Sequence, residues 1–360
     1  MGFRWTKLKV KPIGQSLDKE FVFGLMGKSF PNELRINVSV LISVTLSIYL
    51  LVISIWLCGA LFYDVAQGSK WGWLGITLWV TSVITSVTLL KPVYLSVLAI
   101  TVAFLLFLAW WLSQRPSNDR NWEPNFSKPC RVQVSDDNVV VQNVRNTEYR
   151  SLTDYDVNYE TRKYRISDLK KADLLILFWG STWMSHPMVI FNFGEEQHLC
   201  FSVEARYRKG QNYSIFGGLY RQYELMYVVS DERDAILLRT KFTENQDCYL
   251  YRLKIDAESV RKLFHEFAES TNRLHDSPQW YNAVTNNCTT AILKSRREKV
   301  ELDVRFFLNG ALDRLLYERG QIDNRMPFEE LKKQSRINDV ANLTSAEKFH
   351  TAIREQLPFQ

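Results

Sequence analysis

Cys288 is the residue of this sequence whose setting best suits covalent chemistry. It lies in the run Asn-Asn-Cys-Thr-Thr at 286–290, and apolar Ala291 and Ile292 followed by polar residues predict a short amphipathic helix that begins at the cysteine. Free backbone N–H groups and the positive end of the helix dipole favour a thiolate there. The alternative is that Cys288 is a small core residue, as free cysteines often are.

A nucleophilic thiolate needs a base, and the base needs a group that orients it. The chain has five histidines, and His186 is the best candidate because it lies in a β-like, half-buried stretch that can hold a ring still. Glu204, on the next predicted strand, is the candidate orienting group. A three-residue turn at 194–196 places Glu204 opposite His186, and we favour this register. A two-residue turn places Ala205 there instead and points Glu204 to the other face.

Four further residues are weaker candidates for binding substrate or stabilising an oxyanion. Tyr281 and Asn287 flank the nucleophile as possible donors, in addition to the backbone N–H of the cysteine itself. Arg206 and Arg233 are candidate substrate-binding residues, and either Arg233 or Arg239 has the chemistry to hold a lipid phosphate. Purely structural interpretations stay open: packing for Tyr281, an ion pair with Glu204 for Arg206, and an exposed turn for the charged run 231–234.

The remaining histidines have simpler interpretations. His198, near the predicted turn, is expected to be solvated surface, as are His265 and His275 on or beyond a polar helix face. His350 falls in the polar C-terminal tail. A strand histidine such as His186 can also merely satisfy a buried carbonyl group.

Three charge-free apolar runs, 38–63, 71–90 and 93–112, must position these residues relative to a membrane. Each has the roughly 20 residues needed to cross a hydrocarbon core, so 36–112 is predicted to form three transmembrane helices. Basic residues outnumber acidic ones in the tail 1–35, which predicts a cytoplasmic N-terminus and, after three crossings, an exported remainder. The first run begins too deep in the chain for a cleaved signal peptide and is expected to stay as an anchor.

The rest of the chain predicts an α+β domain. Residues 113–129 are rich in Pro, Asn, Ser and charge and are interpreted as a linker that lifts the domain off the bilayer. Residues 130–323 form the predicted globular domain, and 324–360 a loosely packed polar tail with a helix near 345–356. Strands are predicted near 138–144, 172–179, 185–193, 198–205, 224–229 and 249–255, and helices after Asp256 and over 306–317.

Composition excludes several classes of function. The net charge of +6 is scattered, so nucleic acid is not an expected partner, and a basic face near anionic lipid is the more natural use. No CxxC occurs, and neither a metal nor a cofactor is expected. If Cys288 stays free, Cys130, Cys200 and Cys248 leave at most one disulfide in an exported domain.

Short motifs across 140–320 together resemble the periplasmic domain of Lnb-type bacterial lipoprotein N-acyltransferases. That family is similar to the permuted papain-like enzymes, including the lecithin:retinol acyltransferase group, in which the histidine precedes the cysteine. The motifs are Trp179-Gly180, Ser185-His186, Phe191-Asn192-Phe193, Ser202-Val203-Glu204-Ala205-Arg206, Asp231-Glu232-Arg233-Asp234, Leu250-Tyr251-Arg252-Leu253, Trp280-Tyr281-Asn282 and Asn286-Asn287-Cys288-Thr289-Thr290.

The resemblance implies an acyltransferase of the bacterial inner membrane whose catalytic domain is periplasmic. A membrane phospholipid would be the acyl donor, and the α-amine of a diacylglyceryl-modified cysteine on a lipoprotein the acceptor. Cys288 would carry the acyl chain as a thioester, His186 would act as acid and base, and Glu204 would hold the ring. Two alternatives stay open: a papain-like cell-wall peptidase or amidase with the same residues, and a non-enzymatic membrane-anchored binding protein in which Cys288 is only packed.

Overall fold

The computed structural model describes residues 32–67, 69–180, 185–194, 197–288, 290, 309–355 and 357. The chain divides into two compact units, one of Met1–Leu57 with Leu78–Leu106 and one of Cys58–Thr77 with Phe107–Gln360. The second unit therefore contains the ends of the apolar helices together with the whole sheet domain.

Three helices at the beginning of the described chain are long and apolar enough to cross a membrane. Helix α1 (Asn32–Ala60) continues as a π-helical turn (Leu61–Val65) and is followed by α2 (Lys70–Leu89) and α3 (Val93–Ser113). The qualifying segments are Val40–Val65, Lys70–Leu89 and Val93–Ser113, close to the three predicted runs. The basic tail on which the predicted orientation depends lies outside the described residues.

A mixed sheet of eight described strands forms the domain that follows. Its path runs β1-β2-β9-β8-β7-β6-β10, β5 adds to β2, and β3 pairs with β4 in a separate small sheet. All pairs are antiparallel except the parallel contact between β2 and β9. The strands are β1 (Arg131–Ser135), β2 (Asn138–Arg145), β3 (Glu148–Tyr149), β4 (Tyr155–Asp156), β5 (Tyr159–Arg165), β6 (Lys171–Trp179), β7 (Ser185–Asn192), β8 (His198–Arg206), β9 (Glu224–Asp231) and β10 (Gln246–Arg252).

Helices cover both faces of this sheet. On one face α5 (Ala257–Asp276) begins at Asp256, whose side chain accepts from the backbone N–H of Ser259, as the sequence predicts for an N-cap. Its residues Val260, Phe264 and Phe267 recur at helical spacing and are fully buried. On the other face α4 (Glu232–Thr240) packs on β8 and β9. The described domain is thus a sheet buried on both sides, which is why its central strands are almost continuously apolar.

The loose packing predicted for 324–360 is wrong for the part that the structure describes, whereas the helix predicted near 345–356 is confirmed. Helices α6 (Leu312–Glu318), α7 (Phe328–Ser335), α8 (Asn338–Leu343) and α9 (Phe349–Glu355) close the chain. Phe349 and Ile353 are buried in the same cluster as Met188 and Cys200 of the sheet. Leu312, Leu315 and Leu331 of α6 and α7 pack instead in the cluster that contains Phe264. Each short helix buries only one or two apolar residues, so the segment is polar in composition although it is packed on the sheet domain.

The segment 113–129 is also not a free spacer. Trp122 is buried, and the guanidinium of Arg206 lies 4.0 Å from the centre of its ring. Arg206 donates hydrogen bonds to the carbonyl oxygens of Phe126 and Ser127 and to Asn118 Oδ1. Pro, Asn and Ser are typical of linkers, but one buried arginine satisfied by three acceptors of this segment fixes it to β8.

Candidate active site

The hairpin of β7 and β8 brings His186 and Glu204 together. Its register pairs Met188 with Ser202 and Asn192 with His198, and the same register places Glu204 opposite His186. This is the register of a three-residue turn, as favoured from the sequence. His186 Nε2 lies 3.1 Å from Glu204 Oε1.

A hydroxyl group bridges the same two residues. Ser202 Oγ lies 2.7 Å from His186 Nε2 and donates to Glu204 Oε1 over 2.6 Å. Since the one hydroxyl proton goes to the carboxylate, the serine oxygen accepts from the ring N–H. Nε2 is therefore committed to Ser202 and Glu204, which leaves Nδ1 as the ring nitrogen for a partner on the other side.

The thiol of Cys288 also hydrogen-bonds to the His186 side chain. Cys288 is buried and helical, and Asn287 caps the turn: its Oδ1 accepts from the N–H of Thr290 at 3.0 Å, and its own N–H donates to Thr290 Oγ1 at 2.8 Å. This reciprocal cap fixes the cysteine at the start of a helical turn. The predicted continuation of that helix beyond 290 lies outside the described residues.

The electrostatics of the site favour a charged pair of histidine and glutamate. Burial acts to lower the pKa of His186, but the charge of Glu204 and the hydrogen bonds of the ring with Cys288 and Glu204 outweigh it and raise that pKa to about 10. Burial acts to raise the pKa of Glu204, but His186, Arg239 and Ser202 hold it well below its usual value. At neutral pH the ring is an imidazolium and the carboxyl group is ionised.

Three neighbours of this array have no catalytic role in the sequence-based prediction. Ser202 is two residues from Glu204 on one strand, so the period-2 rule puts both on the same face and was a usable signal. Arg239, in the last turn of α4, donates to Glu204 Oε1 at 3.3 Å. The ring of Trp179 stacks on His186 with centroids 6.3 Å apart. The last two contacts depend on how distant segments pack, which no local pattern encodes.

The four weaker candidates take different positions. The Tyr281 hydroxyl lies 3.2 Å from that of Tyr213, close to the site. The Asn287 side chain is occupied by the cap and by a bond to the Ala283 carbonyl, so it positions the nucleophile. Arg206 is committed to the segment after α3 and does not face Glu204 as an ion-pair partner. Arg233 lies in the first turn of α4, at the opposite end from Arg239.

The expectation that His198 is solvated surface is wrong. His198 is buried, its ring stacks on that of His350 with centroids 4.9 Å apart, and its Nδ1 lies 3.9 Å from Glu232 Oε1. His350 Nδ1 lies 2.5 Å from the same oxygen. Nor is the run 231–234 an exposed turn, because Asp231 caps α4 while Glu232 and Asp234 are buried. The polar residues next to His198 in the sequence suggested an exposed position. The residues that bury it, Glu232 and His350, come from α4 and α9.

His198, Glu232 and His350 are also the group of described residues whose ligand atoms, all within 4.8 Å of one another, could hold a metal ion. Arg354 already donates to both oxygens of Glu232, at 2.8 and 2.6 Å. A carboxylate neutralised in this way is a poor ligand for a further cation, so we describe the group as a buried ion-pair network. No disulfide joins any of the five cysteines, and Cys130, Cys200 and Cys248 lie in the core.

Comparison with known proteins gives one match. Residues 155–308 match the family model of the Lnb N-terminal periplasmic domain. No curated protein and no solved structure matches the chain. The match spans His186, Glu204 and Cys288, and it supports an Lnb-type protein with a periplasmic domain behind membrane-anchoring helices.

Proposed function

We propose that this protein is a lipoprotein N-acyltransferase that moves a fatty acyl chain from a membrane phospholipid, through a Cys288 thioester, to the α-amine of a diacylglyceryl-cysteine lipoprotein. The observation that carries the proposal is the buried chain of thiol, imidazole, hydroxyl and carboxylate formed by Cys288, His186, Ser202 and Glu204. The Lnb-type match over this region and the three apolar helices support a lipid substrate.

In the first step the thiolate of Cys288 attacks the carbonyl carbon of a phospholipid ester. An imidazolium at His186 stabilises a thiolate beside it, and the backbone N–H of the helical turn is a donor for the oxyanion of the tetrahedral intermediate. The ester C–O bond breaks, the leaving alkoxide takes the proton of His186, and a lysophospholipid departs. The acyl chain remains on Cys288 as a thioester, and His186 is left neutral.

In the second step the lipoprotein amine attacks the thioester carbonyl. Neutral His186 takes one proton from the attacking nitrogen, the C–S bond breaks, and an amide and the imidazolium–thiolate pair result. Glu204 and Ser202 hold Nε2 throughout, so that the other ring nitrogen faces the reaction. Water must stay out of the site for aminolysis to exceed hydrolysis, and the small exposed fractions of Cys288 (6%) and His186 (4%) favour this.

The proposal also includes the orientation of the protein in its membrane. We take the N-terminus to be cytoplasmic, the membrane to be the bacterial inner membrane and the catalytic domain to be periplasmic, so that both lipid substrates share its leaflet. The order of His186 before Cys288 fits a permuted papain-like enzyme. A cell-wall peptidase or amidase would use the same pair, but three apolar helices and an Lnb-type domain favour the lipid reaction.

The test uses the full chain reconstituted in phospholipid vesicles with a diacylated lipopeptide. We expect an N-acylated lipopeptide and, without acceptor, a Cys288 adduct heavier by one acyl group in mass spectrometry. Cys288→Ala should abolish both, while Cys130→Ala, which removes another buried thiol, should retain them. Product from Cys288→Ala, or peptidoglycan cleavage without lipid consumption, would contradict the proposal.

A further inference from the structure

Four large apolar side chains lie exposed on two neighbouring segments of the sheet domain. Ile215, Phe216 and Leu219 are 49%, 68% and 39% exposed, and Val284 is 58% exposed. The Asn282 side chain donates to the Leu219 carbonyl, and the N–H of Ala283 donates to the Gly218 carbonyl at 2.8 Å. We call these four residues the apolar tip. Side chains of this size clustered in water mark a surface that meets an apolar partner.

The segment that carries the tip packs on the end of the first apolar helix. The Tyr220 ring stacks on Tyr63 with centroids 5.4 Å apart, and a side chain at Gly59 would come within 1.8 Å of the Tyr220 hydroxyl. Asp64 Oδ1 accepts from the N–H of Arg221 at 3.0 Å. Tyr63 and Asp64 close the candidate span Val40–Val65, so this segment lies where a membrane helix leaves the bilayer.

Aromatic and basic side chains typical of a membrane surface surround the same contact. The guanidinium of Arg221 lies 4.0 Å from the ring centre of Trp111, near the end of α3, and 5.9 Å from that of Trp280. Trp and Arg side chains concentrate at the level of lipid headgroups. The apolar tip therefore lies next to a group of aromatic and basic residues typical of the membrane surface. The tip itself contains only apolar side chains.

The other side of the segment reaches the candidate active site. Gly218 packs closely against this region, since a Cβ there would lie 3.3 Å from the Tyr281 ring and 3.2 Å from the Ala283 side chain, both tight contacts. The Tyr213 hydroxyl meets that of Tyr281. From Ala283 the chain runs through Val284 to the capped turn of Cys288, so one continuous stretch joins the exposed tip to the nucleophile.

We propose that Ile215, Phe216, Leu219 and Val284 insert into the apolar layer of the bilayer and admit a phospholipid acyl chain to Cys288. The partner is the lipid bilayer itself, chosen because the tip is continuous with the end of a membrane-spanning helix and its aromatic and basic belt. The role of the admitted lipid as acyl donor rests on the proposed function, whereas the insertion of the tip does not.

Insertion is measured without catalysis, in full-length protein that carries Cys288→Ala and is held in phospholipid nanodiscs. An environment-sensitive fluorophore is attached at Phe216→Cys or, as control, at Leu152→Cys, another exposed apolar residue that lies in the β3–β4 turn. We expect lipids with quenchers in their acyl chains to quench the label at 216 at least about three-fold more than the label at 152. Equal quenching at the two positions would overturn the insertion.

Admission of the lipid is measured with Ile215→Ser and Phe216→Ser combined in otherwise native protein. We expect formation of the Cys288 adduct from bilayer phospholipid to fall at least about ten-fold, while a water-soluble short-chain aryl ester acylates Cys288 at an unchanged rate. An equal fall with both donors would mean that the substitutions disturb the site, and would overturn the proposed admission. If native protein forms no adduct with either donor, the proposed acyl transfer fails, and the quenching result still decides insertion.

Discussion

Two buried histidine–carboxylate pairs occupy the two ends of one hairpin and behave in opposite ways. One pair is His186 with Glu204, and the other is His198 with Glu232. The two histidines are 4% and 2% exposed. Burial by itself lowers the pKa of any histidine. Yet the pKa of His186 is raised to about 10, whereas that of His198 is lowered to about 4. Burial alone therefore does not account for the opposite shifts of the two pKa values.

The difference lies in what else holds the carboxylate. Glu204 is 3.1 Å from its histidine, and the competing cation among the described residues is Arg239, at 3.3 Å. Glu232 is 3.9 Å from His198, and Arg354 binds both its oxygens. Burial is the main cause of the low pKa of His198, and Arg354 and His350 add to it against the charge of Glu232. Because Arg354 already neutralises the charge of Glu232, this carboxylate does little to stabilise a protonated His198.

One helix serves both pairs. Glu232 is in the first turn of α4 and Arg239 in its last turn, each at the end where the helix dipole favours its charge. His198 and Glu204 share one face of β8 and are about 20 Å apart along the strand. The helix thus supplies a carboxylate to the structural pair and a cation to the pair beside Cys288.

The largest effect that separates the two pairs should appear in activity. His186→Gln removes the acid and base of the proposed reaction, so we expect adduct formation on Cys288 to fall by about 10³-fold or more. His198→Gln is the matched change in the other pair and should lower it by less than about three-fold. Comparable losses in the two folded variants would mean that the functional assignment of the pairs is wrong.

The second effect concerns stability. Arg354→Met leaves Glu232 buried without its cation, and such a loss costs about 3–5 kcal/mol in the free energy of unfolding. Arg336→Met is the control, because its partners Asp247 and Asp339 are exposed and such pairs contribute about 0–1 kcal/mol. Chemical denaturation of the full chain in detergent provides the measurement. A small effect for both arginines would mean that the network around Glu232 is dispensable.

The third and smallest effect is on the pH dependence of stability. The raised pKa of His186 contributes stability that is complete below about pH 6.5 and is lost as the pH rises toward 10. The lowered pKa of His198 means that the unfolded state binds the proton first, so stability falls as the pH decreases from about 6.5 to about 4. Each of the two changes in the free energy of unfolding is on the order of a few kcal/mol.

The matched variants show which histidine causes each loss of stability: the alkaline limb toward pH 10 or the acid limb toward pH 4. His186→Gln should flatten the alkaline limb and leave the acid limb, and His198→Gln should do the reverse, in denaturation curves recorded across this pH range. Flattening of the same limb by both variants would contradict the opposite protonation of the two rings.

Sequence reasoning succeeded where one local rule decides the outcome. The length and apolarity of the three runs predict α1 to α3, and the turn length at 194–196 decides which residue faces His186. It failed where the deciding contact comes from far along the chain: His198 depends on Glu232 and Arg354, and the C-terminal helices depend on a sheet face that they cover. Strands β1 and β5 were missed because they are rich in charged and polar residues and lie at the side of the sheet, where few positions are buried.

Arg206 has a consequence for how this domain can search for its ligands. Because it fixes the segment after α3 to the strand that carries Glu204, this segment belongs to the sheet domain and is not a flexible spacer. In the proposed function both lipid substrates reach the domain by diffusing in the plane of the membrane. Encounter then depends on how many molecules share each unit of membrane area, and dilution of the surrounding solution leaves it unchanged.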